Sequence, residues 1–297
     1  MSTQPTARNW MSICLLGIIW GGTFMVVSIA LKDYGPVTVA CARTTLGALA
    51  MTGLAIALRR PMPAKNTFGP LLVIGATNTA MPFLLLSWGQ QYVPSAFAGI
   101  TMAALPLFVL PLAHFFTDEA LNKRRLIGVL IGFVGALWLI GPSALRPGAG
   151  IEGLAQLACL AATLCYACSS VMTRRCPPID PVAMTAATLA VGSALLLPLM
   201  LWVEGVPTWH GSGSSYAIIF LGFVPTAFAA LLRVSVIRSA GTVFMTLVNY
   251  QVPVWSMLFG TLVLNEDLPF RFYGALGLIM IGLATSQWQS LKRLFSR

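Results

Sequence analysis

The sequence predicts an all-α integral membrane protein, with ten transmembrane helices arranged as two inverted five-helix repeats. Three observations predict this fold: an apolar composition, ten long apolar runs, and a similarity between the two halves of the chain. Of the 297 residues, 57% are hydrophobic and 9% are charged, and the mean hydropathy is +0.83. A soluble domain carries about 25% charged residues, so this composition excludes the soluble globular class. We expect these residues to form membrane spans and no soluble catalytic or ATP-binding domain.

The apolar runs are long enough for transmembrane helices, which need about 20 residues to cross roughly 30 Å of hydrocarbon. Short breaks that contain Pro, Gly or charged residues separate them, as expected at helix ends. The predicted spans lie near residues 10–31, 36–58, 69–89, 94–116, 125–141, 151–173, 181–203, 214–235, 240–264 and 270–289. The runs are apolar all round and do not alternate, so they predict helices and exclude barrel strands.

Basic residues predict the orientation, because Lys and Arg accumulate in cytoplasmic loops. Thirteen of the 18 lie in the segments on the side of both chain ends, and only Lys32, Arg146 and Arg271 lie on the other side. Arg43 and Arg233 fall within spans. Both termini are therefore predicted to be cytoplasmic, which requires an even number of crossings. The net charge of +10 then reflects topology, and no nucleic-acid partner is expected.

The second half of the chain repeats features of the first at a spacing of 145–147 residues. The matched positions include Pro36 and Pro181, Gly47 and Gly192, Gly75 and Gly222, Thr79 and Thr226, Pro106 and Pro253, and Glu119 and Glu266. This predicts one repeat over residues 1–146 and a second over 147–297. Because each repeat holds an odd number of spans, the two must be inverted relative to each other. Inverted repeats are typical of secondary transporters, whose substrate site lies between the repeats near the midplane.

Several short motifs resemble a known family. They are W-G-G-T-F from Trp20 to Phe24, Arg43 in the second span, D-E-A-L and G-V-L-I-G between Asp118 and Gly132, and N-E-D-L from Asn265 to Leu268. With these motifs the chain resembles the EamA-like drug/metabolite transporter superfamily, and within it the bacterial aromatic amino-acid exporters. The resemblance implies a transporter rather than an enzyme. It further implies that the transporter exports amino acids across the bacterial inner membrane by alternating access. The second repeat departs from the pattern, with Cys165-Tyr166-Ala167 where the first has Ile19-Trp20-Gly21.

Polar and aromatic side chains near the middle of the spans are the candidate substrate-binding residues. A polar group buried in hydrocarbon without a partner costs several kcal/mol, and aromatic rings can hold an ammonium group or stack on an aromatic substrate. The candidates are Trp20, Phe24, Asn78, Phe83, Thr101, Leu105, Tyr166, Ser169, Asn249 and Tyr250. The alternative for the two Asn residues is a hydrogen bond that ties helices together. Pro106 and Pro253 predict a kink or hinge, or else carbonyl groups freed to bind substrate.

Charged residues within the spans limit the mechanism. Arg43 lies about 10 Å from the outer end of its span, where a charge is normally paired. Its partner is a substrate carboxylate, a group of the protein, or the outer surface reached by snorkelling. All eight acidic residues fall at span ends or in loops, so neither proton coupling nor dication transport is indicated.

No energy source is indicated either, since a Walker A motif is absent from the sequence, and facilitated movement is expected. We expect no cofactor, no metal and no obligate protein partner. The expected partners are the lipid bilayer and small-molecule substrates, chiefly amino acids. The alternatives are a multidrug or other metabolite exporter of the same superfamily, or a channel.

Overall fold

The computed structural model describes residues 6–61, 63–116, 123–141 and 150–288, and across these ranges the chain is helical, without strands. The main helices are α1 Ala7–Ala30, α2 Pro36–Ala57, α3 Phe68–Gly89, α4 Ser95–Phe116, α5 Lys123–Ile140, α6 Gly150–Arg175, α7 Pro181–Val203, α8 Gly213–Gly241, α9 Val248–Val263 and α10 Phe270–Ser286. Seven of these, α1 to α4 and α6 to α8, are long and apolar enough to cross a membrane, and α10 is a shorter apolar helix. The predicted all-α, multi-pass membrane protein is therefore confirmed. Ten crossings in two inverted repeats remain a prediction, and the predicted boundary at residue 146 lies outside the described residues.

One predicted break differs from the structure. The sequence predicts a span end at residue 235, before Arg238, whereas the helix continues to a kink at Gly241, where φ is 88° and ψ is 166°. Arg238 is accommodated because its Nη2 lies 3.8 Å from a carboxylate oxygen of Asp180, with Arg60 on the same carboxylate at 3.7 Å. A positive φ suits glycine, so the chain turns at Gly241 rather than at the charge.

Three helices begin at a carboxylate that accepts hydrogen bonds from their first amides. Asp180 caps its own helix α7, with Oδ1 2.9 Å from the amide of Val182. The other two caps come from distant parts of the chain: Glu204 accepts from two amides of α2, and Glu266 accepts from two amides of α4. A carboxylate at a helix N-terminus satisfies free N–H groups and interacts favourably with the helix dipole.

Two of the helices contain a π-helical segment. In α3 it spans Ala76–Ala80, and in α8 it spans Gly222–Phe228. These segments carry the matched residues Thr79 and Thr226. Each packs against a helix of the other half, α3 against α7 and α8 against α2. A π segment inserts one residue into a helix and is frequent at functional sites.

The helix pairs are symmetric between the two halves of the chain, and we call this symmetry the exchange pattern. Helix α1 packs on α8 and α9, and α6 packs on α3 and α4; α2 packs on α7, α4 on α9 and α5 on α10. Replacing each helix by the one five positions along the chain reproduces this set of pairs. Helices α5 and α10 approach closely, since a Cβ on Gly282 would lie 2.5 Å from the amide nitrogen of Gly132. Small residues therefore bring these two backbones together.

Candidate functional site

The candidate site lies where α2 meets the π segment of α8, so it joins the two halves of the chain. Pro225 within that segment has no N–H to donate to the carbonyl of Leu221, four residues earlier. The Thr226 hydroxyl takes its place and donates to the Leu221 carbonyl at 2.7 Å. The same hydroxyl oxygen accepts a hydrogen bond from Nη2 of Arg43 at 3.3 Å. The local break in α8 thus creates the acceptor that Arg43 uses.

Trp20 reaches the same segment from α1. Its indole Nε1 donates to the carbonyl of Pro225 at 3.3 Å, over a sequence separation of 205 residues. Trp20 and Arg43, both from the first half, therefore bind adjacent residues of α8 in the second half. The structure places this predicted site residue at the junction of the two halves.

Arg43 also gathers two of the predicted aromatic residues. Its guanidinium carbon lies 3.8 Å from the centre of the Phe83 ring on α3, in cation–π geometry. Tyr166 on α6 packs against the apolar cluster that contains Phe83. Four helices, α2, α3, α6 and α8, therefore meet around Arg43 and Phe83, and we call Arg43, Phe83, Tyr166 and Thr226 the arginine cluster.

Three further candidates lie on α4 or pack against it. Phe24 on α1 is buried, and its ring lies 3.3 Å from a Cβ built on Gly99. The Thr101 hydroxyl donates to the carbonyl of Ala98 at 2.7 Å, an internal bond of the helix. Leu105 follows a break in α4 at Ala104 and is partly buried. These positions serve core packing in the described structure, and their role in binding stays a prediction.

The remaining polar candidates are distributed over three helices. Asn78 lies in the π segment of α3 and is partly exposed, and among the described residues its side chain forms no hydrogen bond. Ser169 on α6 is buried. On α9, Asn249 is partly buried, and the hydroxyl of Tyr250 is buried without a hydrogen-bond partner in the described part of the chain. An unpaired buried hydroxyl is costly in a membrane protein, so Tyr250 has capacity for a ligand.

The two prolines behave differently. Pro106 follows the break at Ala104 in α4, where it lacks the N–H that would bond to the preceding turn. Pro253 lies inside the continuous helix α9. The helix is therefore interrupted just before Pro106, while a kink or hinge at either residue stays a prediction. Across the described ranges, no group of three or more His, Cys, Asp or Glu side chains is placed to hold a metal ion.

Sequence reasoning missed Thr226 as a site residue and left the partner of Arg43 open. The signals available were the matched pair Thr79 and Thr226 and the presence of an arginine inside an apolar span. Neither signal shows which helices meet, because that depends on how the halves pack. The structure supplies the missing information by placing α2 against α8.

Comparisons with known proteins show the family to which the chain is similar. A model of the "EamA-like transporter family" matches the chain twice, over residues 10–141 and 153–286. The "Uncharacterized transporter YoaV" of Bacillus subtilis is 23% identical over 277 residues, covering 92% of this chain and 94% of that protein. The "Uncharacterized inner membrane transporter YedA" of Escherichia coli K12 is 24% identical, covering 90% and 87%.

Two further matches concern substrate and fold. The "Probable terminal-alkyne amino-acid exporter" of Streptantibioticus cattleyicolor is 23% identical over 246 residues, covering 79% of this chain and 80% of that protein. A crystal structure matches with a TM-score of 0.67 and 18% identity, covering 98% of this chain and all of the other. At that identity the structural match shows the fold alone.

Proposed function

The chain belongs to the EamA-like transporter family, and on this premise we propose that it exports small metabolites, chiefly aromatic and other amino acids, across the bacterial inner membrane. It acts as a facilitative secondary transporter that alternates access to a site between two inverted five-helix repeats. The site comprises the arginine cluster, Trp20 and the remaining predicted candidates. Both termini lie in the cytoplasm.

The observation that carries the proposal is the junction of the two halves at the π segment of α8. Trp20 and Arg43 from the first half both bind residues of this segment, and aromatic rings surround the junction. A solute bound there contacts both halves at once, as alternating access requires. The exchange pattern of helix pairs and the two separate family matches support the repeats.

The substrate class and energetics have separate support. Aromatic rings suit an aromatic or ammonium-bearing solute, and one relative of similar identity is named an amino-acid exporter. Among the described acids, Glu152, Asp180, Glu204 and Glu266 lie in the first turn or at the end of a helix. With no acid at depth in the described ranges, facilitated movement needs the fewest assumptions.

Counterflow in proteoliposomes tests the proposal. We expect saturable uptake of labelled phenylalanine into vesicles preloaded with unlabelled phenylalanine, and no such uptake into protein-free vesicles. Trp20→Ala and Asn78→Ala should reduce this flux at unchanged membrane expression. Exchange of drugs but not of amino acids would favour the multidrug alternative. Normal flux in both variants would remove their assignment to the site, and reporters that place the two termini on opposite faces would exclude the repeat architecture.

A further inference from the structure

The guanidinium of Arg43 is a buried charge without a counter-charge. The residue is 5% exposed, although it lies seven residues into α2. An arginine at this depth costs several kcal/mol unless it is paired or hydrated. Something must therefore compensate the charge during the transport cycle.

The protein groups around Arg43 are neutral. Nη2 donates to the Thr226 hydroxyl, the guanidinium lies over the Phe83 ring, and Nε is buried without a hydrogen-bond partner. In the described ranges no carboxylate forms an ion pair with Arg43. The acid that contacts this helix, Glu204, is occupied by the first amides of α2. The described residues leave the buried Nε of Arg43 without a hydrogen-bond partner and its positive charge unpaired.

Resting on the proposed function, we infer that Arg43 binds the carboxylate of the transported substrate. A carboxylate fits because the guanidinium presents a planar set of donors that binds two carboxylate oxygens at once. Nε is one of these donors and is buried without a hydrogen-bond partner. Thr226 holds Nη2, so the orientation of the plane is set before the substrate arrives.

The surroundings of the guanidinium define the rest of the ligand. Phe83 covers one face, and Tyr166 and Trp20 bring further aromatic surface from α6 and α1. The ligand is therefore a monocarboxylate with an apolar or aromatic body. Arg43 then selects the substrate. An analogue without a carboxylate leaves Nε of Arg43 unpaired and the guanidinium charge uncompensated, so such an analogue binds poorly. An arginine that only links α2 to α8 would not distinguish such analogues.

The test is competition against labelled phenylalanine in proteoliposomes of the full-length protein. The competitors are phenylalanine, 3-phenylpropanoate and phenylalaninamide. Phenylpropanoate keeps the carboxylate, whereas phenylalaninamide has a neutral amide in its place. In the wild-type protein we expect the amide to compete at least 10-fold more weakly than phenylalanine, and phenylpropanoate to remain a competitor. In Arg43→Gln the apparent affinity for phenylalanine should fall roughly 10- to 100-fold, the range for a lost charged hydrogen bond, and the preference over the amide should disappear. Arg233→Gln, an arginine of α8 outside the arginine cluster, serves as the matched control and should keep the preference.

The outcomes separate this inference from the proposed function. If no amino acid shows saturable flux in the wild-type protein, the proposed function fails. If phenylalanine is transported but the amide competes equally well, or if Arg43→Gln keeps the preference, the assignment of Arg43 alone is overturned. The wild-type panel decides the question even if Arg43→Gln does not fold.

Discussion

A methyl group added at Gly47 should disturb the contact between α2 and α8 from which the arginine cluster is built. A Cβ there would lie 2.6 Å from Cγ2 of Thr226, whereas carbon atoms in contact are normally about 3.5–4.0 Å apart. Thr226 has little freedom to yield, because its hydroxyl is bonded to the Leu221 carbonyl and its branched side chain favours few rotamers. The clash of about 1 Å must therefore separate the helices or break the Thr226 hydrogen bonds.

The magnitude follows from these contacts. Overpacking costs about 1–3 kcal/mol, and a better helix propensity returns up to about 1 kcal/mol when Gly becomes Ala. Gly53 is the matched control on the same helix, because a Cβ there would meet nothing within 4 Å, so Gly53→Ala should gain the propensity term only. The two variants should then differ by about 2 kcal/mol, with Gly47→Ala the less stable.

Thermal unfolding of the purified variants in one detergent, at one scan rate, measures the difference. At roughly 2 °C per kcal/mol for a chain of this size, Gly47→Ala should unfold about 4 °C below Gly53→Ala. Phenylalanine counterflow should also fall in Gly47→Ala and persist in Gly53→Ala. Equal midpoints and equal flux would refute the described contact between Gly47 and Thr226.

Two predictions concern loops that contact the other half of the chain. Glu266→Gln should lower stability by about 1–2 kcal/mol, because one carboxylate oxygen that accepts from the first amides of α4 becomes an amide donor. The control is Asp267→Asn, which removes the same charge at an exposed neighbour and should change stability little. Equal unfolding midpoints for the two variants would contradict this role of Glu266. The hydrogen bond from Ser212 lowers the pKa of Asp33 below its ordinary 3.8. The stability that this contact adds is therefore fully present at pH values above 3.8, and it is lost as the pH falls through the lowered pKa. In Ser212→Ala the pKa should rise toward 3.8, and a carboxyl NMR titration that finds no rise would exclude the bond.

The sequence predicts the spans well because hydropathy reports where a helix meets lipid. The prediction of 181–203 matches Pro181–Val203, and that of 36–58 differs by one residue from Pro36–Ala57. The prediction is wrong at Arg238, where the charge indicates a helix end although an ion pair to Asp180 accommodates this residue within the helix. Backbone hydrogen bonds do not depend on side-chain polarity, so hydropathy does not detect such a continuation.

The site was harder to predict than the spans because it depends on which helices meet. Trp20, Phe83 and Tyr166 were chosen by depth and residue type, and the structure brings all three to the same junction. Thr226 was missed because its role arises from the missing amide of Pro225 and the resulting π segment. Neither feature is visible as a change in polarity along the sequence.

The two carboxylate caps have a consequence for biosynthesis. Neither α2 nor α4 carries a side-chain cap of its own, and the carboxylates that serve them are translated more than 160 residues later. When the first five helices leave the ribosome, two of them still have open amino-terminal ends, which water must solvate until the later loops arrive. The amino-terminal ends of α2 and α4 therefore receive their caps only after the second half of the chain has been made.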